Sequence, residues 1–526
     1  DLGALVLKGA PTGKNEGTIE ITSGNDNIGM LANGKNGTVA VQAINSGDIN
    51  IKGGITNSAI SSLNGGNIEN TGNIKIESPV IKSIGIYIER GSTGTGTGNI
   101  TVTGNGNTAI ANFGTFTQTA GTIDVSGKDS IGVYAKDSTS DTLVKNSTVN
   151  AENGAVAFYA DGSAVNQSTI KIDDVTSNVG NGGLLFFNYT GTGAMQVGKF
   201  NILSPTTANI AAGGVAFYNR GNIGSESAFL NMINGNGLTL NMSDGSRLFV
   251  FDDPGIMENI STIPSSGGVA SLANASGTAT ITVTPPATGN YKYMTANKAT
   301  LNIDQNVNLD LTSDNYYKVD FFSSNVNVGL QKTGVTAAGA AITTPVPAIM
   351  TNNGNAIANS LKYAIAQKNS DIIASSLTVD VKSTGQIRLT NQTGLVGIIT
   401  DKGTIINNGI VESSGESGVG LLGANGSIVT NNNSLIIGNG GAGMMGINTL
   451  DNPTTVSTVF GNIDLTNNGT ITYVPTSGTA LPSYGIVAKN DGYSLASPTT
   501  SNVTLALGSL IDLSNNQESV GVYASN

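Results

Sequence analysis

The chain has 526 residues, with 24 Lys and Arg against 35 Asp and Glu for a formal net charge of -11, and it contains 71 Gly but no Cys, His or Trp. Without Cys there are no disulfides, thiolate nucleophiles or zinc thiolate sites; without His there is no Ser-His-Asp or Cys-His catalysis; the acidic balance repels phosphate backbones and argues against nucleic acid as a partner. With 38 % hydrophobic and only 11 % charged residues the composition argues against disorder, and no apolar run is long enough to cross a bilayer as a helix.

In chain order, the first element is a short strand phrase that keeps returning: Gly17-Thr18-Ile19-Glu20-Ile21, Gly47-Asp48-Ile49-Asn50-Ile51, Gly72-Asn73-Ile74-Lys75-Ile76, Gly98-Asn99-Ile100-Thr101-Val102 and Gly121-Thr122-Ile123-Asp124-Val125. It continues through Ser168-Thr169-Ile170-Lys171-Ile172 to Phe200, its central apolar residues spaced by roughly 21 to 30 residues, a solenoid period. A second phrase interleaves with it: Ile84-Gly85-Ile86-Tyr87, Ile131-Gly132-Val133-Tyr134-Ala135, Val156-Ala157-Phe158-Tyr159-Ala160 and Val215-Ala216-Phe217-Tyr218. Each coil therefore carries at least two strands. Because every phrase resembles its counterpart one repeat later, in-register parallel stacking puts Ile over Ile and Asn over Asn. The expected fold is an all-β, right-handed parallel β-helix, a solenoid with Gly at corners of positive φ. Roughly twenty coils at about 4.8 Å each would make a rod on the order of 100 Å long.

The phrases divide the chain into coils over 1–251, an irregular, loop-rich insertion over 252–375, and further coils over 376–526. Turn residues gather from Asp252-Asp253-Pro254-Gly255 to Pro285-Pro286, and aromatics gather at Tyr291, Tyr293, Tyr316, Tyr317, Phe321 and Phe322. Ile357, Leu361, Ala364 and Ile365 fall at helical spacing, which predicts one short α-helix near 356–368. In the last coils both phrases return, as in Gly461-Asn462-Ile463-Asp464-Leu465 and Tyr484-Gly485-Ile486-Val487. The chain begins at Asp1-Leu2-Gly3 without a signal stretch and ends inside a repeat phrase, which reads as an excised fragment or a processed passenger.

Chemistry-bearing motifs are few. Ser168-Thr169-Ile170-Lys171, Ser313-Asp314-Asn315 and Lys332-Thr333-Gly334 match in order the three short motifs of serine β-lactamases, yet the first sits in a strand phrase where that chemistry needs a helix. Gly94-Thr95-Gly96-Thr97-Gly98 has the glycines of a phosphate loop without a following helix and reads as a corner. Asp173-Asp174 and Asp252-Asp253 are the acidic pairs a glycan hydrolase or lyase would need, although Asp also forms turns. Candidate binding residues are Tyr291, Tyr293, Tyr316 and Tyr317, whose rings offer rigid apolar area, together with Asp252 and Asp253 at the start of the same insertion. No catalytic residue, metal site or cofactor is expected.

The phrases of the form Asn-x-Gly-Thr-Ile and Ser-x-Gly-Val-Tyr-Ala, as in Ser130-Ile131-Gly132-Val133-Tyr134-Ala135 and Ser519-Val520-Gly521-Val522-Tyr523-Ala524, resemble the large fusobacterial autotransporter adhesins of the RadD type. The resemblance implies a passenger at the bacterial cell surface or outer membrane, or secreted after processing, and held to the membrane only through a C-terminal β-barrel outside this chain. It also implies adhesion to a host cell-surface glycan, a receptor protein or another bacterium. The expected function is thus an adhesin on a stalk; the alternatives are a polysaccharide-degrading β-helix enzyme and a structural spacer whose binding tip lies elsewhere. A closed solenoid with covered ends is expected to be a monomer.

Overall fold

The structure, a computed structural model, describes residues 12–525 except 37–38, 164–165, 192–197, 222–229, 253–255, 259–269, 274–277, 289–290, 298–299, 305–307, 311–318, 323–324, 331–348, 352–361, 369–377, 390–392, 402, 425, 449–461, 476–480, 491–499 and 517, and no side chain between 292 and 377. Every regular element with defined bounds is a β-strand, and nearly all pair in parallel with the strand one coil away. The fold is a parallel β-helix. It divides into two compact units, Asp1–Ile223 with Ser227–Val250 and Gly268–Tyr291, and Gly224–Glu226 with Phe251–Gly267 and Lys292–Asn526.

In the first unit each coil has three strands, one more than the two phrases require. The first sheet stacks Gln42–Asn45, Asn67–Asn70, Thr93–Gly96 and Thr115–Gln118. The second stacks Thr18–Ile21, Asp48–Ile51, Asn73–Ile76, Ile100–Val102 and Thr122–Val125, so that Ile19, Ile49, Ile74, Ile100 and Ile123 form one column. The third stacks Ile84–Ile88, Thr108–Asn112, Ile131–Ala135, Val156–Ala160, Leu184–Gly191 and Val215–Gly221. Ile170 and Phe200, grouped with the second-sheet phrase by wording, belong instead to the first sheet, where Thr142 stacks on Ile170 and Ile170 on Phe200. Inward Thr-Ile-x-Ile alternation serves both sheets, so wording alone could not separate them.

Apolar side chains fill these columns: Ile49, Ile51, Ile76, Ile86, Ile100, Ile123 and Ile170 are wholly buried, as is Phe200. Each such side chain contributes roughly 1.5 to 3 kcal/mol on burial, and because its neighbours lie in adjacent coils no coil is stable alone. Where sheets one and two meet, an asparagine ladder replaces aliphatic packing. Asn15 Nδ2 donates to Asn45 Oδ1 at 2.7 Å, and Asn45 Nδ2 donates to Asn70 Oδ1 at 2.7 Å. Glycine follows at this corner chiefly for closeness of approach: a Cβ on Gly47 would lie 1.9 Å from the Gly17 carbonyl oxygen one coil away. Of the corner glycines Gly17, Gly47, Gly72, Gly98 and Gly121, only Gly121 has the positive φ expected from sequence. Positive φ occurs at other turns, and Asp26, Thr56 and Asp129 adopt it as well as glycine.

The second unit repeats the design. Thr404–Asn407, Ile428–Asn431 and Ile463–Asn467 stack in one sheet, Ile410–Ser413, Ser434–Ile437 and Thr470–Tyr473 in another, and Leu395–Asp401, Val419–Ala424, Ala442–Asn448 and Tyr484–Asn490 in the third. Its own buried ladder runs from Asn407 through Asn431 to Asn467, with amide contacts of 2.8 and 2.7 Å.

Coil stacking also enters 252–375, the stretch expected to be an irregular insertion. Thr300–Asp304 pairs with Asn325–Leu330, and Val319–Phe322 with Lys362–Lys368, all in parallel. The helix predicted near 356–368 is not formed over its described part: Lys362–Lys368 is a strand, with Ile365 in register with Ile398. A short apolar run fits both the helical and the extended period, and the edge of Leu395–Asp401 supplies backbone partners that decide for the strand. Residues 356–361 lie outside the described residues.

Candidate binding face

The third sheet of the first unit carries the most distinctive outer surface. In five of its strands Ile86, Val133, Phe158, Phe186 and Phe217 fill the core while the next residue turns outward. The inward rings stack, Phe158 on Phe186 at 5.8 Å and Phe186 on Phe217 at 5.6 Å. The outward column in register is Tyr87, Ala111, Tyr134, Tyr159, Phe187 and Tyr218.

Ala111 leaves a gap in this column, and Phe113, two residues later, fills it. Its ring lies 5.5 Å from Tyr87 and 6.0 Å from Tyr134. The column then continues without interruption: Tyr134 to Tyr159 at 5.0 Å, Tyr159 to Phe187 at 4.9 Å, Phe187 to Tyr218 at 5.5 Å. The result is six partly exposed rings in line, one per coil. Ring pairs at these separations contribute about 0.5 to 1.5 kcal/mol each beyond their burial, so the column is rigid.

Just past these strands the backbone ladder continues through Glu89, Phe113, Lys136 and Asp161, and in the next two coils Tyr189 is in register with Arg220. Lys136, Tyr189 and Arg220 are exposed. Lys136 Nζ lies 3.9 Å from Asp161 Oδ2, and at the adjoining corner Arg90 Nη2 pairs with Asp137 Oδ2 at 2.8 Å. The Tyr134 hydroxyl donates to Asp161 Oδ2 at 3.5 Å. Burial, and then the Asp161 carboxylate, push the Tyr134 hydroxyl well above the usual phenol range and the Tyr159 hydroxyl up to about 12. Burial also raises Tyr87, with Glu89 and Asp137 adding to it. These phenols remain neutral donors throughout the physiological range.

The corresponding face of the second unit is aliphatic. Val396, Val419, Leu422, Ala442 and Val487 form a buried cluster with Ile399, Ala424, Met445 and Tyr484 packed on it.

The residues nominated from sequence fare differently. Tyr291 is 1 % exposed and among the largest fully buried side chains. Tyr293 lies in the strand Lys292–Asn297 and Asp252 ends the strand Arg247–Asp252, but their side chains are outside the described set. Tyr316, Tyr317 and Asp253 lie outside the described residues, as do 313–315 and 332–334.

Asp173 and Asp174 form a corner. Asp174 has a φ of 54°, and Asp173 accepts from Ser204 Oγ at 2.5 Å and pairs with Lys145 Nζ at 2.9 Å. The Ser204 hydrogen bond, then Lys145, hold the Asp173 carboxyl below its usual range, the reverse of what a glycosidic general acid requires. Ser168 is buried with its hydroxyl donating to the Ala135 and Asp161 carbonyls, while Lys171 points outward to Asp141 at 2.8 Å. The two therefore do not form a nucleophile and base. Gly94 and Gly96, expected in a corner, lie within the strand Thr93–Gly96 and face the core. Among the described residues no group of three or more His, Cys, Asp or Glu could hold a metal ion, and no helix is long and apolar enough to cross a membrane.

The ring column was legible in the second phrase, whose fourth residue is Tyr in most of its early copies. Its regularity made it read as scaffold wording. No protein-family model matches the chain, and no curated protein matches it significantly.

Proposed function

We propose that this chain is the adhesive stalk of a bacterial surface autotransporter passenger, non-catalytic, and that its contact face is the ring column Tyr87, Phe113, Tyr134, Tyr159, Phe187 and Tyr218. The observation that carries the reading is this in-line set of partly exposed aromatics on the outside of a parallel sheet. Aromatic side chains lose little conformational entropy on binding and dominate contact energy where they cluster. A stacked-coil scaffold holds them rigid, so little ordering cost is left to the binding step. The partner classes this serves are a host glycan, a receptor ectodomain or the surface of another bacterium.

The test is a glycan array, a receptor-ectodomain screen and a cell-adherence assay with the purified chain, each repeated with Tyr134→Ala/Tyr159→Ala. The reading expects adherence that the double variant loses while its circular dichroism stays that of the parent. Adherence undiminished in a folded double variant would remove this face from the binding role.

A further inference from the structure

We propose that the partner this face fits is a second copy of the same chain, docked antiparallel about a two-fold axis. The inference rests on reading the third sheet's outer face as a contact surface and adds what covers it. Along the coil axis the backbone positions beside the rings read Glu89, Phe113, Lys136 and Asp161, then Tyr189 and Arg220: acid, ring, base, acid, ring, base. Reversing this order and laying it against itself sets Glu89 opposite Arg220 and Lys136 opposite Asp161, with every charge facing its opposite. A two-fold interface must be self-complementary in this way, each residue i meeting j while j meets i. A parallel, in-register pairing would instead set each charge against itself.

The geometry supplies a second argument. A partner touching one ring in each of six successive coils must itself repeat at the coil spacing, or it falls out of step along the column. A second copy has that period by identity. The rings behave like the charges under the same reversal: Tyr134 meets Tyr159 at the centre, Tyr87 meets Tyr218 at the ends, and Phe187 meets Phe113, whose ring fills the place of Ala111. Charged groups arranged in complementary order fix register and suppress wrong pairings more than they add affinity.

The contact is small. Six coils at about 4.8 Å by a strand of five or six residues at about 3.3 Å give roughly 500 Å² per copy, the size of a transient interface. Single pairs would be weak, and many stalks meeting at once would bind by avidity. Antiparallel docking is the arrangement in which stalks from two facing surfaces meet.

The test uses the purified chain in sedimentation equilibrium, with Lys136→Asp and Asp161→Lys made separately. In the two-fold arrangement each variant places like charges face to face, so self-association weakens by about tenfold or more. An equimolar mixture of the two restores every opposite pairing, and it should associate as the parent does, as hetero-pairs. Lys136 is exposed and the Asp161 side chain is 15 % exposed, so circular dichroism unchanged from the parent is required of both variants. A parent that stays monomeric at its highest soluble concentration, or a mixture no better than either variant alone, overturns the proposal. Neither outcome touches the adhesive reading, which the Tyr134→Ala/Tyr159→Ala adherence assay decides separately.

Discussion

Gly94 and Phe116 are register partners in adjacent coils, and the absence of a side chain at one makes room for the ring of the other. A Cβ on Gly94 would lie 3.0 Å from Phe116 Cδ2, 2.7 Å from Ile68 Cγ1 and 2.8 Å from Ile88 Cδ1. Phe116 is wholly buried. Gly94→Val should destabilise by about 1 to 3 kcal/mol through overpacking, and Phe116→Ala by about 3 to 5 kcal/mol through the cavity. The double variant should cost less than the sum, because the added methyls enter the space the ring vacates. Thermal unfolding of the three variants checks this, and strict additivity would show that the two sites do not share one space.

Asn45 is the middle rung of the buried ladder, accepting from Asn15 and donating to Asn70. Asn45→Leu leaves both neighbours short of a partner and should cost about 1 to 3 kcal/mol. Asn45→Asp is the sharper probe. The carboxylate it introduces, when ionised, still accepts from Asn15 but turns an oxygen toward Asn70 Oδ1; when protonated, it donates to that oxygen. The folded state therefore holds this proton more tightly than the unfolded chain does, so stability is present at low pH and lost as pH rises through the raised folded value. Unfolding midpoints measured relative to the parent should recover on acidification. A deficit independent of pH would mean the ladder does not depend on that donor.

Much of the fold was legible because packing in a solenoid is written once per coil. Ile49, Ile74 and Ile100 stand at the same place in their phrases, and the structure stacks them. The first sheet was hidden, since Thr93–Gly96 offers glycines where other coils offer Ile68 or Phe116, and only the neighbouring coils reveal that Gly94 belongs to a core column. Lys362–Lys368 was misread because its pairing with Leu395–Asp401, separated in sequence, outweighs local spacing. The ring column was visible residue by residue in Tyr87, Tyr134, Tyr159 and Tyr218, but the substitution of Phe113 for the ring missing at Ala111 depends on neighbouring side chains and has no mark in the phrase.

Asp173 ties three coils together through Lys145 and Ser204. Its carboxyl is held below the ordinary range, first by the Ser204 hydroxyl and then by Lys145. A depressed folded value means that its stabilising contribution is present above the unfolded carboxylate range and lost as pH falls through the folded one. Asp173→Asn should thus lower the thermal midpoint at neutral pH and shrink the difference from the parent as the solution is acidified below about pH 4. A difference that stays constant down to strong acid would assign the contribution to hydrogen bonding that the amide loses at every pH.

Tyr159 gives the opposite dependence at the alkaline end. Burial among Tyr134 and Phe187, together with the Asp161 carboxylate, pushes its hydroxyl up to about 12, above the unfolded phenol. A raised folded value means that stability is fully present below the unfolded value of about 10 and declines as pH rises through the folded one. Tyr159→Phe keeps the ring in the column and removes the ionisable group. Its thermal midpoint should therefore fall less steeply than the parent's between about pH 10 and 12. In the parent, ultraviolet titration of the tyrosines should show part of the phenolate signal delayed beyond the ordinary range, with the delayed fraction smaller in the variant. Coincident alkaline slopes for the two proteins would mean that Tyr159 is open to solvent, and the column would then be looser than its ring spacings indicate.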